Sequence, residues 1–521
     1  MKIKHVFVLL IGVFLLMSCA LEQKEKETIV YRNPVIKGDF PDPTIIRVGD
    51  MYYAAGTSND FVPNYPLYES NDLINWTRIG AVFNEPPAWT SEDFWAPELY
   101  YKDGTFFVYY TTKRKDTGIA CIGVATTKNI HDGFTDHGII IEWGDEAIDA
   151  FVFQDDDGKF YITWKAYGLT EGREIEILAS ELSDDGLSLV GEHFSLTDQS
   201  KGWKGPGHEG QCLIKRNGYY YLLYSAGGCC DNRCDYHVMV ARSKKLKEGW
   251  EQKPEPILQG SETWRCTGHG TLVNTPDGRY FYMYHSYNAT DFEFIGRQGM
   301  LDEMLWDEET SWPYFKGDTA SVSAPVPFEN TVQEIDSVFE DDFSNDKNLA
   351  FWEWDVNGVR SDAEVVDGEL IITPVRSGTA FLGLRPETGN YELTTEAIPT
   401  EGQSGIGIYS NQNCFLSLAA SESQLVLVQK NNGEEQVLAE VKLDNPASVF
   451  LKYEAVTGRY FHFFWSENGE DWIPLEVDGQ QQVDGTFLAQ WGFSPRIGFI
   501  VNGNGKNLFR FSSLKVKYHY N

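Results

Sequence analysis

Asp103-Gly104-Thr105-Phe106-Phe107-Val108-Tyr109-Tyr110 decides the fold of this chain, because the phrase recurs. It returns as Asp157-Gly158-Lys159-Phe160-Tyr161-Ile162-Thr163-Trp164 and as Asn217-Gly218-Tyr219-Tyr220-Tyr221-Leu222-Leu223-Tyr224. A further copy is Asp277-Gly278-Arg279-Tyr280-Phe281-Tyr282-Met283-Tyr284, and a variant, Gly49-Asp50-Met51-Tyr52-Tyr53, comes first. The five glycines are spaced by 55, 54, 60 and 60 residues, a fixed period that marks a repeat array. Asp-Gly or Asn-Gly supplies the left-handed backbone of a tight turn, and an aromatic strand follows, so each phrase is a hairpin. Second strand pairs follow, as in Gly123–Thr127 and Val238–Ser243. Four short strands per repeat make a propeller blade, and five repeats predict a five-bladed β-propeller. No useful helical period interrupts them.

The repeat also predicts where chemistry sits. The innermost strand of each blade precedes its turn and faces the axis. Counting back seven to nine residues from each turn glycine reaches Asp42, Pro97 beside Trp95, Asp149, Glu209 and His269. Three are carboxylates and one is an imidazole. Carboxylates crowded around an axis repel one another and lose water, a cost that function commonly explains. Solvated residues at the channel mouth are the plainer alternative.

The chain has 521 residues, 42% of them apolar, enough for two or three globular domains. Its formal net charge of −34 argues against nucleic acid or an anionic membrane as partner and fits a neutral substrate. Its 15 Trp and 27 Tyr suit stacking on sugars, although blade packing claims most of them. Residues 1–18 read as a signal segment: Lys2 and Lys4, an apolar run too short to span a bilayer, then the lipobox-like Leu16-Met17-Ser18-Cys19. Cys19 is the expected lipidation site, residues 19–28 the tether, and the bacterial cell envelope the expected address. Cys229, Cys230 and Cys234 share one loop, with Cys212 and Cys266 on neighbouring blades; disulfides stiffening that loop are expected over a zinc site. The propeller is expected over 29–328, with Ser323–Phe328 as its exit, and an antiparallel jelly-roll sandwich over 336–521. Within it, Phe461–Trp472 reads as strand, turn, strand, and Leu508–Phe511 with Leu514–Lys517 as a closing strand pair.

Five segments resemble glycoside hydrolase family 43: Asn33–Ile45, Phe94-Trp95-Ala96-Pro97-Glu98-Leu99, Ile148-Asp149 with Phe153–Gly158, Glu209-Gly210 with Leu213–Gly218, and Gly268-His269-Gly270 with Gly296-Arg297-Gln298. The resemblance spans the whole propeller, and the C-terminal part is similar to the sandwich that some members carry. It implies inverting hydrolysis of arabinofuranosides or xylosides. Asp42 would be the general base, Glu209 the general acid, and Asp149 the residue that tunes and orients the acid. The chemistry needs one carboxyl protonated and one ionised at the same pH. It also needs them roughly 6.5–9.5 Å apart to admit water. Arg297 would bind sugar or steady a carboxylate, Trp95 would wall the sugar or belong to the core, and His269 would lie over a calcium ion or ordered water at the axis or fill it through hydrogen bonds. Trp164 reads as packing, and His208 faces the pocket or points away. Two positions depart from the pattern: Ala150 and Gln211 stand where relatives often have proline.

The expected activity is exo-acting release of α-L-arabinofuranose from plant polysaccharide side chains, with β-D-xylosidase as the close rival. A non-catalytic glycan-binding surface lipoprotein is the rival from another class; it would not need all three carboxylates.

Overall fold

The computed structural model describes residues 28–169, 174–205 and 208–520; Cys19 lies outside them. Among the described residues the chain is almost entirely β, and no helix is long and apolar enough to cross a membrane.

Five antiparallel four-stranded sheets follow one another along the chain. Their first strands are Thr44–Val48, Trp95–Lys102, Ala147–Gln154, Glu209–Arg216 and Trp264–Asn274. Each touches the next, and the fifth touches the first, so the strands close a ring around an axis. Each sheet is a blade, and the five-bladed β-propeller expected from the repeat is the observed fold. All five turn glycines have left-handed backbones, with φ from +63° to +86°. In blades two and four Asp103 and Asn217 share that conformation, the type I′ geometry that matches strand twist.

The recurring aromatics fill the spaces between blades. Tyr109, Trp164, Tyr221, Tyr282 and Tyr284 are at most 1% exposed, where large rings supply much of the apolar burial. Trp164 lies edge-on to Trp143 and His193, which is packing as expected. The ring is closed by a strap: Val30–Arg32 pairs antiparallel with Ser323–Pro325, so the expected exit segment returns to the start of the propeller.

The C-terminal part is a sandwich of a six-stranded and a nine-stranded sheet, the latter carrying two strands off its main path. Its core is one apolar cluster that includes Leu393, Leu418, Phe461, Phe499 and Phe511. The expected hairpin is present: Tyr460–Ser466 pairs with Ile473–Pro474. The expected closing strand pair is instead one ten-residue strand, Phe509–Tyr518. Ser512-Ser513 reads as a turn in sequence, but there the register against Tyr391–Ile398 slips by one residue. A bulge absorbs the extra residue and the ladder continues.

The sandwich docks on blade one through a buried charge cluster. Glu353 accepts from Arg385 Nε at 2.7 Å and Arg496 Nε at 2.8 Å, and Arg78 Nη2 lies 3.3 Å away. Arg496 also reaches Asp39 Oδ2 at 3.3 Å. Trp354–Asp355 pairs with Phe61–Val62, which carries backbone hydrogen bonds across the same interface.

Candidate active site

The axial ends of the blades repeat a second device. Asp42, Ala96, Asp149, Gly210 and His269 have φ of +53°, +36°, +59°, +57° and +41°. Left-handed backbone costs a non-glycine residue about 1–3 kcal/mol and gathers at functional sites. Each of these five donates its backbone N–H to a side chain of the preceding blade. Asp42 donates to His285 Nδ1 at 3.0 Å, Ala96 to Thr57 Oγ1 at 2.7 Å, Asp149 to Thr111 Oγ1 at 3.1 Å. His269 donates to Ser225 Oγ at 2.8 Å, and Gly210 to Asp149 Oδ2 at 3.1 Å. These captures hold the strained backbone in place. At Gly210 the conformation also requires glycine, since a Cβ would stand 2.7 Å from the His269 ring.

Thr111, Ser225 and His285 each lie seven residues past their turn glycine, and Thr57 lies eight past its own. The corresponding residue of blade three is Lys165, which has no acceptor to offer. Gly210 therefore turns to Asp149, and Lys165 points its ammonium at Glu209 Oε2, 3.0 Å away, and Glu146 Oε1, 3.2 Å away. Sequence reasoning missed this second ring. Counting forward from the turn glycines, as well as back, would have found it.

The expected carboxylates converge. Asp42 is 8% exposed and Asp149 6%. Asp42 Oδ1 lies 2.8 Å from Arg297 Nη1 and 3.3 Å from His269 Nδ1, while its Oδ2 accepts from Thr57 Oγ1 at 2.7 Å. His269 Nδ1 lies 3.9 Å from Asp149 Oδ2. Glu209 Oε1 accepts from Tyr236 Oη at 2.8 Å. Glu209, Tyr236 and Asp149 are thus joined to one another through Gly210, whose N–H binds Asp149.

The charges divide unequally. Burial pushes Asp42 up, but the Arg297 guanidinium and then His269 outweigh it and hold its carboxyl well below the usual range. Burial pushes His269 down, yet Asp149 and Asp42 carry it up to about 9, so it is an imidazolium at neutral pH. His285 is pushed down to about 4, chiefly by burial, and its neutral Nδ1 is free to accept from Asp42. Burial, opposed by His269 and reinforced by the Glu209 charge, pushes Asp149 up to about 6. Burial raises Glu209, but Lys165 and then Tyr236 bring it below its ordinary value. Asp42 is thus held as an anion, while burial and the nearby Glu209 charge make Asp149 the more readily protonated of the other two.

Arg297 is 5% exposed and pairs with Asp42. Its Nη2 also donates to the carbonyl of Gly492 at 3.0 Å, on a sandwich loop. Beside Gly492, Trp491 is 62% exposed. Trp95 is half-buried at the start of its strand, next to the left-handed Ala96. His208 points away from the pocket, its ring between Trp203 and Tyr224. Glu98, in the resembling Trp95–Leu99 segment, is fully buried between blades and accepts from Thr44 Oγ1 at 2.7 Å and from the Val152 N–H at 3.2 Å. Among the described residues two disulfides are present, Cys229–Cys230 and Cys234–Cys266, while Cys121, Cys212 and Cys414 are buried thiols. The loop expected to be stiffened is stiffened, and Cys212 takes no part.

The Xylan 1,3-beta-xylosidase of a Vibrio species is 31% identical over 58% of this chain and 60% of its own length. The Non-reducing end alpha-L-arabinofuranosidase BoGH43B of Bacteroides ovatus is 27% identical over 59% of this chain and 56% of its own. The chain thus spans less than two thirds of the length of these curated relatives. The crystal structure of xylan beta-1,4-xylosidase from Bacillus halodurans superposes with a TM-score of 0.80 at 22% identity, covering 93% of this chain and 99% of that one, so both parts of the fold are shared. The model for Glycosyl hydrolases family 43 matches residues 31–313, more than half of the chain and all five blades. The chain therefore belongs to glycosyl hydrolase family 43.

Proposed function

We propose that the protein is an inverting, exo-acting glycosidase that removes terminal pentoses from plant polysaccharide side chains. The observation that carries this reading is the convergence of three carboxylates in unlike surroundings: Asp42, against its burial, is held well below the usual range by Arg297, burial raises Asp149 to about 6, and Glu209 lies between Tyr236 and Lys165. In the reaction, Asp42 takes a proton from water as the water oxygen bonds to the anomeric carbon. Glu209 gives its proton to the leaving oxygen on the opposite face as the glycosidic bond breaks. Asp149 shares that proton and orients the acid through Gly210. For Glu209 to carry the proton on Oε2, Lys165 turns toward Glu146, which it already touches.

The relatives support two sugars. The Vibrio enzyme, at 31% identity, favours a β-D-xylosyl unit; the Bacteroides enzyme, at 27%, supports the α-L-arabinofuranosyl unit expected from the sequence as the second reading. The calcium expected at the axis enters none of the steps written here, which use side chains alone. Among the described residues no group of three or more His, Cys, Asp or Glu is arranged to hold a metal.

The test is Glu209→Gln assayed on aryl β-D-xylosides and α-L-arabinofuranosides. On a phenyl glycoside kcat should fall about 100- to 10,000-fold, the span of general acid catalysis. On a dinitrophenyl glycoside, whose leaving group needs no proton, the fall should be small. Proton NMR of the first-formed sugar should show inversion; retained configuration would sink the mechanism.

A pH dependence follows with its sign. Asp42 stays ionised down to well below the usual carboxylate range, so acid costs little activity until Asp42 itself takes up a proton. The proton to be delivered leaves with Asp149, at about 6. Above that value kcat/KM on a poor leaving group should fall about tenfold per pH unit. A profile flat to pH 8 would place the proton elsewhere.

A further inference from the structure

One loop, residues 227–236, meets Glu209 and His285 at the site, and the roles assigned above leave it unexplained. Its last residue, Tyr236, is 2% exposed and donates its hydroxyl to Glu209 Oε1 at 2.8 Å. The ring of Tyr236 lies parallel to that of His285, with centroids 5.8 Å apart, and His285 in turn accepts the Asp42 N–H. Gly268, next to His269, makes room for this ring: a Cβ there would stand 2.5 Å from it.

The loop is tied at three places. Cys234, two residues before Tyr236, is bonded to Cys266, two residues before Gly268. Asp235 and Gly228 exchange hydrogen bonds: the Asp235 N–H donates to the Gly228 carbonyl at 3.1 Å, and the Gly228 N–H to Asp235 Oδ1 at 2.7 Å. The Cys230 carbonyl accepts the N–H of Gly492 at 3.1 Å, and the Gly492 carbonyl accepts from Arg297, the partner of Asp42. Cys266 and Tyr287 pack with Tyr236, and Cys229, Cys234 and Phe292 cover them. Both disulfides among the described residues are in this one place, which makes cross-linking a property of the site and not of the fold at large.

We propose that Tyr236 is a positioning residue for Glu209, and that the Cys234–Cys266 disulfide holds it there, so that proton delivery to the leaving group depends on the cross-linked loop. The inference rests on the reading of Glu209 as the proton donor. Glu209 has two oxygens and needs one fixed so that the other faces the leaving group. Tyr236 is the neutral donor that stays on Oε1 when Lys165 leaves Oε2. A buried tyrosine ring on a ten-residue loop would lose more rotamer and backbone freedom than one hydrogen bond returns, unless the loop is already ordered. The cross-link to the first strand of blade five supplies that order.

The experiment measures kcat on a series of aryl glycosides of graded leaving-group acidity, for the full-length wild type, Tyr236→Phe, the double variant Cys234→Ser/Cys266→Ser, and Glu209→Gln. Tyr236→Phe should lose about tenfold on the phenyl glycoside, stay within about twofold on the dinitrophenyl glycoside, and keep its KM. The double variant should show the same slope. A general loosening of the fold would lower all substrates alike, and that result overturns the proposal, as does a Tyr236→Phe variant equal to wild type throughout. A double variant with the wild-type slope removes the disulfide from the argument even if Tyr236 stands. If Glu209→Gln itself shows no leaving-group dependence, the assignment of the acid fails and this proposal falls with it. A normal Glu209→Gln result beside a silent Tyr236→Phe overturns the loop alone.

Discussion

Asp42→Asn should lower kcat on every glycoside by roughly 10,000-fold, the upper end of what a positioned general base contributes. The effect should not depend on the leaving group, which separates it from Glu209→Gln. Water attacks in both the easy and the difficult cases, and its proton has nowhere else to go. Asp42 also carries the charge that pairs with Arg297 at 2.8 Å and faces His269 at 3.3 Å. An amide in its place leaves a buried guanidinium without its anion, which costs about 3–5 kcal/mol for a buried pair broken on one side. The variant must therefore be shown folded at the assay temperature by circular dichroism. A folded Asp42→Asn with more than about one hundredth of wild-type kcat would remove Asp42 from the role of base.

Glu353→Gln should give the largest loss of stability. Glu353 is 0% exposed and meets three arginines, Arg78, Arg385 and Arg496. Burial raises its pKa, but these guanidinium groups, Arg385 first, bring it down to about 2. A folded-state value below the unfolded one means stability that is present above the unfolded carboxylate range and lost as pH falls toward 2. Removing the charge leaves the buried cations facing one another, at a cost of about 3–5 kcal/mol. Scanning calorimetry should show the transition at lower temperature, and an acid titration should show the variant insensitive where the wild type begins to lose stability. An unchanged melt would show that Asp39 alone suffices to neutralise the cluster. The consequence reaches the site, because Asp39 Oδ1 also accepts the backbone N–H of Arg297 at 3.2 Å. A loosened cluster should therefore weaken the hold of Arg297 on Asp42.

Much of this was legible in the chain. The turn glycines fixed five hairpins because a left-handed residue before an aromatic strand has few other uses. The period then fixed the number of blades. The axial carboxylates could be located because the innermost strand keeps a constant distance from its turn. The closing strand was misread because Ser512-Ser513 offers turn chemistry locally, and only the pairing partner Tyr391–Ile398 shows that a bulge absorbs it.

The sequence by itself determined the repeat, the strands and the three carboxylates, since each depends on spacing along a chain whose backbone geometry is fixed. The tertiary structure alone decided their charge states. Lys165 reaches Glu209 from another blade, Tyr236 from a loop after the next strand, and Arg297 is held by a sandwich loop almost two hundred residues further on, Gly492. A pKa is set by distance and burial, and neither is a property of sequence separation.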